Sequence, residues 1–298
     1  MLFWRQKVLV ALIQEAPLLK ASSAQLADWA FLLKHQNRID EHGRFYDFVP
    51  YDHGPFSFLM EHEIMRLVDE GVLTVCDGFL CAQSSRAGGI AEELPSTQRT
   101  LVSLLAEEYG RLSEEELLNI VHCCYPWYAS RSTAINCVSK ACAEAEAVYT
   151  IGYEGLSIDA FLDALLRRGI EVVLDVRAVP HSRKHGFSRP ELEQKCANMA
   201  IEYCHLPEAG IPSVVRREAD SEGDLWRHYS SAILPTIPDT ISRITTTCSQ
   251  RPTALLCFEA DPIYCHRHVL AQTISTAAGF DIFNYVVEGS RWERQNVC

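Results

Sequence analysis

At 298 residues, with 48% hydrophobic, 22% charged and 9% aromatic residues, the chain has the composition of a folded globular protein, which excludes disorder, collagen-like repeats and a coiled coil as descriptions of the whole. The length suggests two domains, and a chain of this size buries enough surface to need neither disulfides nor a structural metal for stability. The net charge of −12, split as 12 basic and 20 acidic residues in 1–147 against 15 and 19 in 148–298, opposes broad nucleic-acid binding, because that binding is driven by counterion release from phosphates. A local basic mouth on an acidic body stays compatible with it.

The apolar run 8–13 is broken by Gln14 and Glu15 and is too short for a signal-peptide core or a membrane span. A cytoplasmic protein with no membrane partner is therefore expected. In a reducing compartment the twelve cysteines are expected as free thiols, most of them small buried hydrophobes, so a functional one must be marked out by its neighbours.

Helices are expected over 5–16 and 22–35, the second opened by Ser22 or Ser23 and carrying Leu26, Trp29, Ala30 and Leu33 at helical spacing. Phe45, Tyr46, Phe48, Val49 and Pro50 read as a short strand, His53-Gly54-Pro55 as a turn, and 58–68 as a helix ending near Gly71. Asp77-Gly78 between two apolar runs, 72–76 and 79–83, signals a hairpin. Helices followed by a two-stranded wing outline a winged-helix-like module. Residues 84–96 read as a loop, followed by amphipathic helices over 97–109 and 113–123, the latter opened by the capping box Ser113-x-x-Glu116. The alanine-rich stretch 137–147 has no strand character, and the domain boundary is placed at about 147.

Beyond it strands and helices alternate. Strands are expected over 148–151, 170–176, 201–205, 253–258 and 282–287, the last of the chain, and helices over 157–168, 189–200, 225–234, 238–248 and 266–278. Nearly unbroken apolar strands separated by helices imply an α/β domain with a mostly parallel sheet covered on both faces. In such sheets ligands sit outside the carboxyl ends of the strands, and there the polar residues gather. They are Tyr153 and Glu154 after the first strand, Asp175 and Arg177 and then Arg183 and Lys184 after the second, His205 after the third, and Cys257, Glu259, Cys265, His266 and Arg267 around the fourth.

Asp175 ends an apolar strand, where a carboxylate is costly unless paired. Either it pins the following loop through Arg177 or it serves as a general base. Arg183, Lys184 and Arg189 belong to a solvated loop or to the recognition of an anion beside a ring-shaped ligand. Cys265 stands at a helix N-terminus, where free amides and the helix dipole favour a thiolate, so a lowered pKa and reactivity are expected of it. Three readings of this segment stay open: zinc held by Cys257 and Cys265 with His266 or His205, nucleophilic or redox chemistry at Cys265, and a hydrogen-bonding pocket built on Glu259 and Arg267. Neither the two-residue cysteine spacing of zinc knuckles nor His-Glu-x-x-His is present.

Thr150-Ile151-Gly152-Tyr153-Glu154, Asp175-Val176-Arg177 with Pro180 and Ser182-Arg183, Tyr203-x-His205-Leu206-Pro207-Glu208 and Cys257-x-Glu259-x-Asp261-Pro262-x-x-Cys265-His266-Arg267 resemble the family called domain of unknown function 488. The resemblance spans most of 148–298. It implies a compact α/β domain of bacterial and archaeal cytosol and no settled reaction. Gly152-Tyr153-Glu154-Gly155 stands where many members read Gly-His-Ser, which removes any role that depended on that histidine. Residues 1–135 resemble the antitoxin-associated Panacea domain through Tyr51-x-His53-Gly54-Pro55, the helix 58–67, Glu116-Leu117, His122 and Pro126-Trp127. That resemblance implies a toxin or phage-defence setting, and the acidic balance favours a protein partner over DNA for this half.

Two functions from different classes follow. In the first, the C-terminal domain is a hydrolase or glycosidase-like enzyme on a nucleotide or nucleic-acid base. Asp175 and Glu259 are its acid and base, Cys257, Cys265 and His205 line the pocket, Tyr153, Glu154 and Lys184 help bind the ligand, and Arg177, Arg183 and Arg267 hold phosphate. In the second, the pocket binds a small effector or metal without turnover and the N-terminal module docks a partner. Thiol redox sensing through Cys257 and Cys265 is a third option.

Overall fold

The computed structural model describes residues 2–39, 45–129, 131 and 145–295. The chain divides into two compact units, Met1–Ser139 and Lys140–Cys298. Most of the expected bridge, residues 137–144, lies outside the described residues, as do Cys137, Cys142 and Cys298. Among the described residues no helix is long and apolar enough to cross a membrane.

The N-terminal unit is built on two central helices. α1 (Trp4–Glu15) buries residues 8–13, and α2 (Ser23–His35) buries residues 26–33 without a break. Ser22 starts α2 with a reciprocal cap: its hydroxyl accepts from Gln25 N at 3.0 Å, and Gln25 Oε1 accepts from Ser22 N at 3.1 Å. Between the helices lies β1 (Lys20–Ala21). Further on, β2 (Val49–Tyr51) pairs antiparallel with β3 (Gly54–Phe56) ahead of α3 (Phe58–Asp69).

The expected hairpin forms as β4 (Leu73–Cys76) and β5 (Phe79–Ala82). Its corner residues Asp77 and Gly78 both take positive φ, 51° and 82°, as a tight two-residue hairpin turn demands. β1 pairs with β5, giving a sheet of order β1-β5-β4. A short α4 (Ser84–Ala87) leads to α5 (Ser96–Tyr109) and α6 (Glu114–Cys124), the latter started by the Ser113 and Glu116 capping box.

Two expectations for this unit need correction. The strand expected at Phe45 is limited to β2, because Phe45, Tyr46 and Phe48 reach the core from irregular chain, and Pro55 lies in β3. The stretch 84–96 contains α4 and a tight helical turn at Ala91–Glu93, whose winding directs Ala87, Ile90 and Leu94 into the core.

The C-terminal unit alternates β6 (Ala147–Gly152), α7 (Ile158–Arg168), β7 (Val172–Asp175), α8 (Arg189–Asn198) and β8 (Glu202–His205). There follow α9 (Ser213–Glu218), α10 (Glu222–His228), α11 (Pro238–Gln250), β9 (Thr253–Cys257), α12 (His266–Ala278), β10 (Asp281–Val286) and β11 (Arg291–Arg294). The six strands form one sheet of order β11-β10-β6-β9-β7-β8, parallel except for β11. The helix expected over 225–234 starts earlier, as α10, and ends in a wide turn over Tyr229–Ile233. β10 is not the last strand: an antiparallel ribbon with β11 extends the sheet.

One face of the sheet presents Val148, Val172, Leu174 and Leu255 to Ile244 of α11 and to Leu270 and Ile274 of α12. The alternate residues point the other way, where Arg168 of α7 lies over the rings of Tyr149 and Phe283. Helices thus cover both faces, and the near-continuous apolar strands follow from that burial. The chain leaves β6 to reach β7 on the far side of β9, and leaves β9 to reach β10 on the far side of β6. Connections departing in opposite directions make the carboxyl ends of β6 and β9 a topological switch point.

At that point the loops approach so closely that Gly152 has no room for a side chain: a Cβ there would lie 1.7 Å from the Glu259 carbonyl oxygen. Gly152→Ala is therefore expected to cost about 3 kcal/mol or more through overpacking. Gly279→Ala, at the left-handed C-terminus of α12 with nothing within 4 Å, is expected to cost only about 1–2 kcal/mol. Urea unfolding followed by circular dichroism separates the two, and equal losses would contradict the close-approach argument.

Candidate functional site

The site rests on a buried ion pair at the end of β7. Asp175 is fully buried and takes two guanidinium hydrogen bonds from Arg177, Nε to Oδ1 at 2.8 Å and Nη2 to Oδ2 at 2.6 Å. The Arg177 backbone N–H adds a third at 3.1 Å, and the Tyr203 hydroxyl of β8 a fourth at 2.6 Å. Arg177 Nη1 donates to the Tyr153 hydroxyl at 3.1 Å and to the Phe187 carbonyl at 3.0 Å, while the Tyr153 and Phe187 rings stack at 4.3 Å. Burial alone would lower the Arg177 pKa, but the hydrogen bonds and charge of Asp175 outweigh it and raise it. Burial and the Asp175 charge together push the Tyr203 hydroxyl up.

This hub fixes the two carbonyls that follow the strand. Val176 O accepts from His266 Nε2 at 2.9 Å, and Arg177 O from His205 Nε2 at 2.8 Å. A ring nitrogen facing a carbonyl must carry the proton, so each neutral imidazole presents a bare Nδ1 on its opposite side. For His266, that Nδ1 lies 3.8 Å from Cys257 Sγ and 3.9 Å from Cys265 Sγ. All three residues are at most 2% exposed, and their ligand atoms lie within 4.8 Å of one another. The sulfur–nitrogen separation across a tetrahedral zinc is about 3.6 Å, taking Zn–S as about 2.3 Å and Zn–N as about 2.0–2.1 Å. The donor set and its spacing therefore fit a zinc-class ion.

Glu259 completes the cluster. Cys257 Sγ donates to Glu259 Oε2 at 3.2 Å, and Arg216 of α9 reaches Oε1 at 3.3 Å. Burial would raise the Glu259 carboxyl, but the Cys265 and Cys257 thiols and the Arg216 charge outweigh it and hold it below the usual carboxylate range. The carboxylate is partly open to solvent, unlike the thiols and the imidazole behind it. Exposed Phe258, Ile263 and Tyr264 flank these residues along the chain.

Arg267 is wholly buried and clamps the 259–260 turn, with Nη1 to Glu259 O at 2.5 Å, Nη2 to Ala260 O at 3.0 Å and Nε to Thr150 Oγ1 at 3.4 Å. Glu154 supports the same turn by accepting from Ala260 N at 2.9 Å. Lys184 Nζ donates to Tyr153 O at 3.0 Å, and burial lowers its pKa. Arg183 is exposed.

Several expected roles change with these contacts. Cys265 caps α12, yet burial pushes its thiol pKa well up, and the neighbouring Cys257 adds to the rise, so the expected low-pKa nucleophile is not what the uncomplexed fold presents. Asp175 spends both carboxylate oxygens on Arg177 and Tyr203, which fits the loop-pinning alternative and not a general base. Arg177 and Arg267 are buried and direct each of their guanidinium nitrogens to groups of the protein, a scaffold role in place of the expected hold on phosphate. Tyr153 is buried, with its ring stacked on Phe187 and its hydroxyl accepting from Arg177, which fits a packing role in place of the expected ligand contact.

The expectation of mostly buried cysteines is met only in part among the described residues, where Cys81 and Cys204 are half-buried. Of the nine described, all free thiols, Cys196, Cys248, Cys257 and Cys265 are buried, whereas Cys76, Cys123 and Cys124 are exposed.

Sequence reasoning gave no role to Tyr203 or Arg216. Tyr203 sits two residues before His205 on a strand, so it shares that residue's face, a usable signal. Arg216 lies on a six-residue exposed helix with no periodicity to announce it.

Residues 157–274 match the model of the family described as Domain of unknown function DUF488. The match runs from the N-cap of α7 into α12 and includes Asp175, Arg177, Tyr203, Cys257, Glu259, Cys265 and His266. No curated protein and no solved structure matches the chain.

If the ion pair is the support of this site, removing one partner should cost far more than trimming its edge. Arg177→Met is expected to lose about 3–5 kcal/mol because it strands a buried carboxylate, and Tyr203→Phe about 1.5–3 kcal/mol. The double variant Asp175→Asn with Arg177→Met should recover part of the larger loss. Denaturant midpoints check the order; strictly additive losses would show that the two groups do not depend on each other.

Proposed function

We propose that the C-terminal unit, which carries the match to the domain of unknown function 488, is a metal-dependent hydrolase acting on a nucleotide or a nucleic-acid base. The observation that carries this reading is the His266 imidazole, tied through Nε2 to Val176 O and so offering Nδ1 toward both Cys257 and Cys265. Two thiols, an imidazole whose far nitrogen is held by the Val176 carbonyl and a neighbouring carboxylate are a donor set suited to zinc. When bound there, such an ion would supply Lewis-acid polarisation of an oxygen at the switch point.

Within this reading Glu259 is the residue that takes and returns a proton. It adjoins the ligand set, it is partly solvent-facing, and its neighbours keep it ionised. His205 orders the loop through Arg177 O and touches Arg189 through Nδ1 at 3.5 Å. Phosphate recognition passes from the buried arginines to the exposed cations Arg183, Arg189, Arg216 and Arg217. The apolar side chains of Phe258 and Tyr264 supply surface for a ring.

For the N-terminal unit, the order α1-β1-α2-β2-β3-α3-β4-β5, with a β1-β5-β4 sheet and the β2–β3 ribbon inserted before α3, supports the winged-helix-like reading. α3 stands where a recognition helix would lie, yet it carries Glu61, Glu63 and Asp69 against Arg66. That balance disfavours phosphate contacts and supports the Panacea-like reading of an interaction module for a non-DNA partner. The cytoplasm, where thiol ligands stay reduced, is the compartment that suits the whole.

A second reading, a metal sensor without turnover, is favoured by the near-complete burial of all three ligands. Elemental analysis of untagged protein separates these cases. About one equivalent of zinc-class metal is expected in the wild type and in Glu259→Gln, and its loss in Cys257→Ser and Cys265→Ser, with circular dichroism reporting whether each variant folds. Wild-type protein free of metal after growth in zinc would overturn the metal centre. Release of base or phosphate from a panel of nucleotides and modified nucleic acids that is lost in metal-replete Glu259→Gln supports the enzyme; a metal-replete wild type inert to the whole panel supports the sensor.

A further inference from the structure

The N-terminal unit holds a cleft of about 540 Å³ between α2, the β2–β3 ribbon, α3 and the β4–β5 hairpin. Its walls are apolar, contributed by Met60, Ile64 and Val68 of α3 and Leu80 of β5, with Tyr51 and Phe56 stacked at 4.9 Å along one side. Asp28 of α2 lines it. That residue is 4% exposed, and among the described residues its carboxyl has no hydrogen-bond or ion-pair partner.

This arrangement is costly for the free protein. A buried carboxylate is ordinarily paired, as Glu63 is in the same unit by Arg5 and the Tyr46 hydroxyl. Among the described residues no lysine or arginine lines the cleft, and the acids Glu61 and Asp69 do. Burial, reinforced by the charge of Glu114 on α6, pushes the Asp28 pKa up to about 8. The other titratable groups facing the cleft are Tyr51 and His53 of the β2–β3 ribbon and Glu61 and Asp69 of α3.

An apolar, aromatic-walled cavity with one unpaired carboxylate selects a particular ligand chemistry. Its apolar surface takes a hydrocarbon or aromatic body, the ring faces favour a cation, and the carboxylate supplies the counter-charge. The volume suits a small molecule. We propose that this cleft is a binding site for a small organic cation, an ammonium or amidinium group on an apolar body, with Asp28 as its counter-ion. It is independent of the metal centre proposed for the C-terminal unit.

Benzamidine and phenethylamine test it against their neutral counterparts benzamide and 2-phenylethanol, with the full chain, by calorimetry and thermal shift. The cations are expected to bind about tenfold or more tighter than the neutral pair, and Asp28→Asn to abolish that preference. Because the pKa of Asp28 is raised, the ionised form is gained as pH climbs toward 8, so cation binding should tighten from about pH 6 to about pH 8 and release protons.

The same sign governs the variant's folding. The native state holds the Asp28 proton more firmly than the unfolded chain, so wild-type stability from this group falls as pH rises between the two pKa values. Asp28→Asn should therefore fold at least as well as wild type, and increasingly better toward pH 8. Equal binding of charged and neutral probes, a preference that survives in Asp28→Asn, or no binding of either cation would overturn the proposal. So would stabilisation by an acetylated leucyl-lysyl-leucine amide but not by the small amines, which would make the occupant a peptide.

Discussion

The geometry of the C-terminal site depends on the buried contact between Asp175 and Arg177. A fully desolvated carboxylate gains little net stability from an arginine, since the desolvation of both charges offsets their attraction. What the pair does supply is position. Its bidentate geometry holds the backbone on either side of Val176, and the carbonyls of Val176 and Arg177 then each take an imidazole N–H. The tautomer of His266, and hence the nitrogen offered to Cys257 and Cys265, follows from where that backbone was placed. A charge pair with marginal energetic value thus controls the chemistry of a ring nearly a hundred residues away.

The same constraint explains why the cations of this half divide into two populations. Arg177 and Arg267 lie at or below 6% exposure and direct their donors into loops, Arg177 closing the β7 end and Arg267 closing the turn after β9. Each satisfies carbonyls that a short loop over a parallel sheet would otherwise bury unpaired. Arg183 and Arg216 remain on the surface, and Arg216 alone among the arginines discussed touches the Glu259 carboxylate. Buried arginine is scaffold here, and exposed arginine is the population open to a ligand.

Much of this was legible in the sequence. The parallel sheet followed from near-continuous apolar strands such as residues 172–176, and the Asp77-Gly78 hairpin and the Ser22 and Ser113 caps followed from local backbone chemistry that tertiary context did not override. The meeting of Cys257, Cys265 and His266 was among the expected options, because the carboxyl end of one strand and the start of the next helix must adjoin. What was not legible depends on tertiary packing. β11 is mostly exposed and charged, so no apolar pattern marks it, and it exists because β10 presents an open edge to pair with. Phe45, Tyr46 and Phe48 look like a strand because they are apolar and close in sequence, but burial from irregular chain satisfies them equally well. The thiol of Cys265 was misjudged because a helix N-terminus favours a thiolate only where some solvent remains, and burial together with the neighbouring Cys257 outweighs the lowering effect of His266 and the Arg267 charge.

The buried carboxylates Asp175, Glu63 and Asp28 are treated in two ways, and the contrast is informative. Asp175 is met by an arginine and a tyrosine hydroxyl, and Glu63 in the other unit is met by Arg5 and the hydroxyl of Tyr46, the same solution reached from unrelated elements. Asp28, four-per-cent exposed on a helix otherwise filled with Leu26, Trp29, Phe31 and Leu33, has no such partner among the described residues. An asparagine or a leucine there would satisfy the helix and the core at lower cost, so the fold itself does not call for the acid. An acid at the wall of an apolar cleft, kept protonated by burial near neutral pH and with no counter-ion among the described residues, is stabilised in its charged form when a counter-ion comes from outside.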